Sequence, residues 1–235
     1  MDISEAEFVV IDVETTGLDP ATDTVVEIAA VRYQPRDGVI GPVWQTLVNP
    51  ERSIPATASA IHGITDAMVA HAPIPDEAWL EFHRFVGDDA VLVAHHATFD
   101  RSFLPVAYAE RAWLCTMRLA KHLWPEAPTH SNQGLRYQLG FKAPATVAHR
   151  AADDALVTTY LLDEALGEYS WTEPRGADRT LDTLLAYAAS PIKVTTMPFG
   201  KHQGKPLAEI PADYIRWLLN QPDVDPDLRA SLLAI

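Results

Sequence analysis

The run from Phe8 to Val13 is apolar on both alternating faces, broken only by Asp12, which predicts a strand covered on both sides at the centre of an α/β sheet. Residues 24–33 predict a second strand. A loop at 34–38, closing on Asp37-Gly38, turns the chain into a third, antiparallel strand over 43–48. The short, wholly apolar stretch 90–94 predicts a second buried strand of the parallel kind, and residues 114–117 another. Helical spacing predicts helices over 77–86, 101–111, 118–124, 132–139, 181–188 and 211–220, and a long one opened by the stretch 149–154 and running to about 166. The longest of them carries the stripe Ala155, Thr159, Leu162 and Leu166. Residues 50–75 are rich in Pro and Ala and hold short helical pieces. Residues 167–180 are polar, contain Pro174 and Gly176, and read as a linker. Residues 195–207 predict a β-hairpin with a Gly-flanked turn. The pattern therefore divides the chain into a domain over 1–167, a linker and connecting helix over 168–190, and a small hairpin–helix module over 191–235, which is near the size at which a core is marginal.

Composition and charge add to this picture. With 48% hydrophobic residues the 235-residue chain can bury a sizeable core. Cys115 is the single cysteine, so no intrachain disulfide forms and a reducing compartment fits. The acidic start, Met1–Glu7, lacks the basic and apolar regions of a signal peptide, and no apolar run reaches membrane-spanning length, so a cytoplasmic protein with no membrane partner is expected. The net charge of −14 argues against a polyanionic partner unless the acids are gathered locally. Two stretches are free of acids: 111–122, with Arg111, Arg118, Lys121 and His122, and 190–208, with Lys193, Lys201, His202 and Lys205.

The central strand carries the first candidate chemistry. Asp12 and Glu14 are two residues apart and point to one side of a strand. Two carboxylates side by side on a buried strand are costly without a cation, and oxygen ligands suit Mg²⁺ or Mn²⁺. The competing reading is a strand that ends at a solvated Asp–Glu turn, and this stretch alone leaves both open. Glu27, within an apolar strand, reads as a hydrogen-bonded structural acid, and His62, before Gly63, as a packed loop residue. Asp100 follows the predicted strand 90–94 at the start of a helix, where α/β sheets hold ligands, although an acid complementing the helix dipole is equally ordinary there. Asp154, five residues after His149, opens the longest helix and has the same two readings.

Together these stretches resemble the DEDDh 3′–5′ exonucleases. Asp12–Leu18 (DVETTGL) resembles their first motif, His95–Asp100 (HHATFD) the second, and His149–Ala155 (HRAADDA) the third, with His five residues before Asp. Arg150 stands where the sister group carries Tyr. Ala60–Thr65 (AIHGIT) matches a substrate loop. The stretches 115–125, 199–205 and 214–218 resemble an exodeoxyribonuclease branch of the family, which extends the likeness to nearly the whole chain. The resemblance implies a ribonuclease H-like exonuclease fold, a mixed central sheet with helices on both faces, followed by the small C-terminal module. It implies two divalent metal ions held by Asp12, Glu14, Asp100 and Asp154, with His149 as general base, a role that imidazole's ordinary pKa suits. It places the 3′ nucleotide against Thr15 and Thr16 backbone groups, between Leu18 and Phe99, with His62 on the sugar. Lys201 and Lys205, in the predicted hairpin, read either as a grip on backbone phosphates away from the site or as a solvated turn. His96 stands where many members have Asn, beside the nucleotide. The expected activity is release of nucleoside monophosphates from DNA 3′ ends, single-stranded or duplex, in repair. A proofreading polymerase subunit, an RNA-trimming enzyme and a non-catalytic nucleic-acid-binding module are the alternatives. Monomer and homodimer are both left open.

Overall fold

In the computed structural model, which describes residues 1–145, 148–172 and 179–235, strand β1 (Phe8–Thr15) runs through the middle of a five-stranded sheet. β2 (Val25–Gln34) lies antiparallel to it, and β3 (Gly38–Leu47) antiparallel to β2. On the other side β4 (Val91–Ala94) and β5 (Trp113–Cys115) continue the sheet in parallel. The sheet order is β3-β2-β1-β4-β5, the mixed architecture expected from the pattern. Between β3 and β4 come α1 (Ala56–His62), α2 (Asp66–Val69) and α3 (Pro75–Val86). Next come α4 (Ala97–Phe103), α5 (Thr116–Leu123), α6 (Asn132–Leu139), α7 (Ala151–Thr172) and α8 (Leu181–Ala189).

The two faces of β1 make two cores, as a doubly covered strand requires. Val9, Ile11 and Val13 pack with Ala78, Phe82 and Val86 of α3. Phe8 and Val10 pack with Ala151, Ala155 and Leu162 of α7. Strand alternation therefore sends Asp12 and Glu14 to the α7 side. α7 runs past the predicted end at Leu166, because Leu166 and Tyr169 remain on its buried stripe and Gly167 does not by itself stop a helix. The predicted linker thus begins as helix, and residues 173–178 lie outside the described residues. α8 contributes Leu181, Leu184 and Ala188 to the same core as α7. The helix expected over 101–111 instead starts at Ala97 and stops at Phe103, since Pro105 cannot continue it.

The chain divides into two compact units, Met1–Ala188 and Ala189–Ile235. The second has its own apolar core of Met197, Leu207, Ile210, Leu218, Val224, Leu228 and Leu232, built from α9 (Ala212–Leu219), α10 (Pro226–Leu233) and the loop before them. In that loop the expected hairpin is reduced to one bridge, Thr196 with Pro206. Pro206 has no N–H to extend a ladder, and Gly200 and Gly204 at positive φ wrap the chain into a 3₁₀ turn over Gly200–His202. No helix among the described residues is long and apolar enough to cross a membrane.

Candidate active site

The site forms where β1 stops pairing regularly. Between Glu14 and Thr15 the register with β2 shifts, so the strand kinks just after the two acids. The turn that follows is fixed internally. The Thr15 hydroxyl donates to the Gly17 carbonyl at 2.5 Å and the Thr16 hydroxyl to Asp23 Oδ1 at 2.9 Å. The Thr16 amide donates to the Thr24 carbonyl at 2.9 Å.

Oxygen atoms of Asp12, Glu14 and Asp154 lie within 4.8 Å of one another. Asp100, in the first turn of α4 and buried, accepts from the Val13 amide at 3.3 Å, which brings it to the strand beside Asp12. All four acids and His149 line one cleft of about 460 Å³, together with His96, Phe99, Asn132 and Gln133. Three of the acids therefore form one oxygen cluster and the fourth stands next to it rather than in it. Of the remaining candidates, His96 and Phe99 stack with rings nearly parallel, 6.5 Å apart, at the cleft wall. Leu18 is 81% exposed. His62 is buried, its Nδ1 accepting from the Ile64 amide at 3.0 Å and its Nε2 without a hydrogen-bond partner. Lys201 and Lys205 are exposed in the second unit.

The electrostatics are those of a site waiting for positive charge. Burial, then the neighbouring carboxylates, hold Asp12 well above the ordinary carboxylate range. Burial and Asp154 push Glu14 up to about 8. Burial raises Asp100 to about 7 against the pull of backbone amides. Burial also raises Asp154, opposed by its hydrogen bonds from Gln133 and from the His149 amide. Four acids that resist ionising, all-oxygen donors and a half-open cleft fit hard divalent cations.

Sequence reasoning missed two parts of this arrangement. Gln133 Nε2 donates to Asp154 Oδ1 at 3.1 Å, and Asn132 Nδ2 donates to the Asp154 carbonyl at 3.2 Å. Both ride on α6, whose start is capped by Ser131. The polar run Ser131-Asn132-Gln133 at a helix start was the available signal. The second is a clamp on the loop that carries His149. Glu27, the structural acid of β2, is buried and takes Arg150 Nε at 3.0 Å, Arg150 Nη2 at 2.5 Å and the Ala151 amide at 3.0 Å. It thereby fixes the residue after His149 and the first turn of α7. His149 itself has a left-handed φ of 60°, and its amide donates to Asp154 Oδ2 at 2.9 Å.

A cleft of clustered acids at the end of a central strand, with an imidazole on the loop before α7, is an arrangement suited to a metal-dependent nuclease. The model of the Exonuclease family (RNase_T) matches residues 9–162, and the chain belongs to that family of nucleases. It is 38% identical to exodeoxyribonuclease 10 of Escherichia coli strain K12 over 232 residues, covering 95% of this chain and 96% of that protein. It is 42% identical over 163 residues to a DNA polymerase III subunit epsilon-like protein of Rhodobacter capsulatus, covering 66% of this chain but 23% of that one. Among solved structures it resembles exonuclease X in complex with 5′ overhanging duplex DNA, with a TM-score of 0.63 and 31% identity over 77% of this chain and 99% of that one. Residues 189–223 match the model of a putative quorum-sensing-regulated virulence factor family.

Proposed function

We propose that this exonuclease is a divalent-metal-dependent 3′–5′ exodeoxyribonuclease that releases nucleoside monophosphates from DNA ends in repair. The observation that carries the reading is the meeting of Asp12, Glu14, Asp100, Asp154 and His149 in one cleft. The likeness to an exodeoxyribonuclease covers 95% of this chain and 96% of that protein, whereas this chain spans only 23% of the epsilon-like relative and 16% of a PolC-type polymerase of Thermotoga maritima, which favours an autonomous enzyme over a proofreading part.

In this reading Asp12, Glu14, Asp100 and Asp154 would hold two divalent ions, Mg²⁺ or Mn²⁺. Two such ions supply activation of a water and stabilisation of the leaving oxygen. The chain's own residues do the rest. His149 takes the proton of the attacking water, and Asp154, held by Gln133 and by the His149 amide, ties that base to the metal ligands. Leu18, exposed on the turn after β1, and Phe99, backed by His96, bracket the terminal base. Apolar contacts of this kind read no base edge, so trimming is indifferent to sequence. His62 lies under the sugar, and backbone groups of Thr15 orient the 3′ hydroxyl. Lys201 and Lys205 meet phosphates of the same strand.

Digestion of matched, 5′-labelled single-stranded DNA, duplex DNA and RNA, with Mg²⁺ or with EDTA, tests this. Stepwise shortening from the 3′ end of DNA, abolished by EDTA, is expected. Intact DNA with Mg²⁺ present, or faster loss of RNA than DNA, would overturn the reading.

A further inference from the structure

The charge of the molecule is unevenly placed. Within residues 189–235 five basic and five acidic side chains balance, so the whole excess of −14 lies in residues 1–188. A catalytic unit that acidic repels a polyanion at long range. Affinity for a nucleic-acid chain must then come from short-range contacts, and the second unit carries a face suited to them. Phe199 is 44% and Trp217 53% exposed, unusual for large rings in so small a unit. Trp217 lies 5.3 Å from Tyr214, and Lys201 Nζ sits 4.9 Å above the other partner ring, that of Tyr214. His202 meets Tyr214 edge-on at 4.6 Å, and neither of its ring nitrogens has a partner in the protein.

Gly200, at φ +70°, lets the loop fold so closely on Tyr214 that an added Cβ would lie 3.3 Å from its hydroxyl. The glycine thus lets the loop that carries Phe199 and Lys201 close on Tyr214. Three of the module's five acids accept hydrogen bonds within it. Asp225 caps α10, Asp227 accepts the Ile192 amide, and Asp213, the acid nearest this face, accepts its neighbour's amide at Tyr214.

We propose that the unit Ala189–Ile235 is a single-stranded DNA-binding module, in which Phe199 and Trp217 stack on unpaired bases and Lys201 and Lys205 take the intervening phosphates. This rests on the exonuclease reading and deepens it by assigning the second unit to the substrate strand. Interleaved rings and ammonium groups are the chemistry of sequence-tolerant strand binding, since every base offers a π face. A protein-docking patch would need no cations between its rings, and a duplex would hide the faces that the rings require.

The test is anisotropy of a 5′-labelled oligo-dT titrated with the whole protein in EDTA, where nothing is cleaved. Phe199→Ala/Trp217→Ala should bind about 10-fold or more weakly, from the usual worth of stacking on two bases. Trp217→Phe should bind close to the unaltered protein, whereas Trp217→Leu, which keeps the bulk and loses the π face, should bind as poorly as Trp217→Ala. Lys201→Gln/Lys205→Gln should lower the slope of log affinity against log salt by about 1.4, the single-strand value for two phosphates, while the ring variants leave the slope alone. Equal binding by the Phe, Leu and Ala variants at 217, or equal binding by Leu and Phe alone, overturns the proposal. So does an unchanged salt slope in the lysine variant. Should Trp217→Ala fail to fold, the Phe and Leu comparison decides. Hydrolysis of the p-nitrophenyl ester of thymidine 5′-phosphate by the unaltered protein with Mn²⁺, a substrate that presents no strand, reports on the catalytic reading separately.

Discussion

Asp154 is held from two directions, by Gln133 through its side-chain amide and by His149 through its backbone N–H, so a single carboxylate links the acid cluster to the loop that carries the proposed base. Removing the charge from the cluster and removing its support should differ in kind. Asp12→Asn should abolish DNA trimming and, because it relieves repulsion among buried carboxylates, raise the thermal midpoint of the metal-free protein; calorimetry in EDTA beside a nuclease assay checks both. His149→Ala should lower kcat by about 10²- to 10⁴-fold, the usual contribution of a general base, with Mn²⁺ affinity by titration calorimetry little changed. Gln133→Ala should instead weaken Mn²⁺ binding by about 10- to 100-fold, as loss of a group that orients a ligand does. At this scale the sequence was informative for residues whose cost is local. Asp12 and Glu14 on an apolar strand are conspicuous because burying them unneutralised is unfavourable. Gln133 and Asn132 left only the weak signal of a polar run at a helix start, where an amide is at home in solvent, and only the approach of α6 to α7 gives them a task.

Elements explain what single residues do not. β1 ends in a register shift, α4 starts directly after β4, and α7 starts directly after the His149 loop, so three element ends converge on one side of the sheet. Their existence could be read from periodicity. Their exact limits could not: Pro105 stops α4 early, and α7 continues to Thr172 because Tyr169 still finds the core. The clamp between Glu27 and Arg150 spans 123 positions and was invisible in sequence, although Glu27 was rightly read as a hydrogen-bonded acid. Its function is to fix where α7 begins. Arg150→Ala would leave the Glu27 carboxylate buried with only the Ala151 amide, a loss of about 3 kcal/mol, toward the low end for broken buried pairs because the guanidinium reaches solvent on one side. At a temperature where the variant remains folded, kcat should fall more than KM rises, since the loop holding His149 is loosened while the base-bracketing residues are not. Equal changes in kcat and KM from steady-state assays would show that the clamp serves stability alone.

At the scale of the whole molecule the acid cluster couples stability to pH and to metal. Glu14, at about 8, and Asp100, at about 7, titrate far above their ordinary values of 4.5 and 3.8. A carboxyl whose pKa is raised on folding favours the folded state in its protonated form. That advantage is complete below the unfolded value and disappears as pH rises through the folded one. Without metal the first unit should therefore lose stability steadily between about pH 4 and 8, a window opposite to that of salt-bridged carboxylates. Divalent ions change the sign of the dependence, because bound cations favour the ionised acids and must displace protons to enter. The stabilisation by saturating Mn²⁺ should thus be small at pH 5 and large at pH 8, by roughly 5–10 °C in thermal midpoint for a unit of this size. Scanning calorimetry across pH with Mn²⁺ and with EDTA measures both curves. If they stay parallel, the acids are already ionised without metal and the cluster is not held together by its need for cations. If they diverge with rising pH, the same repulsion that makes the empty cleft unstable is what gives it affinity for the ions its chemistry requires.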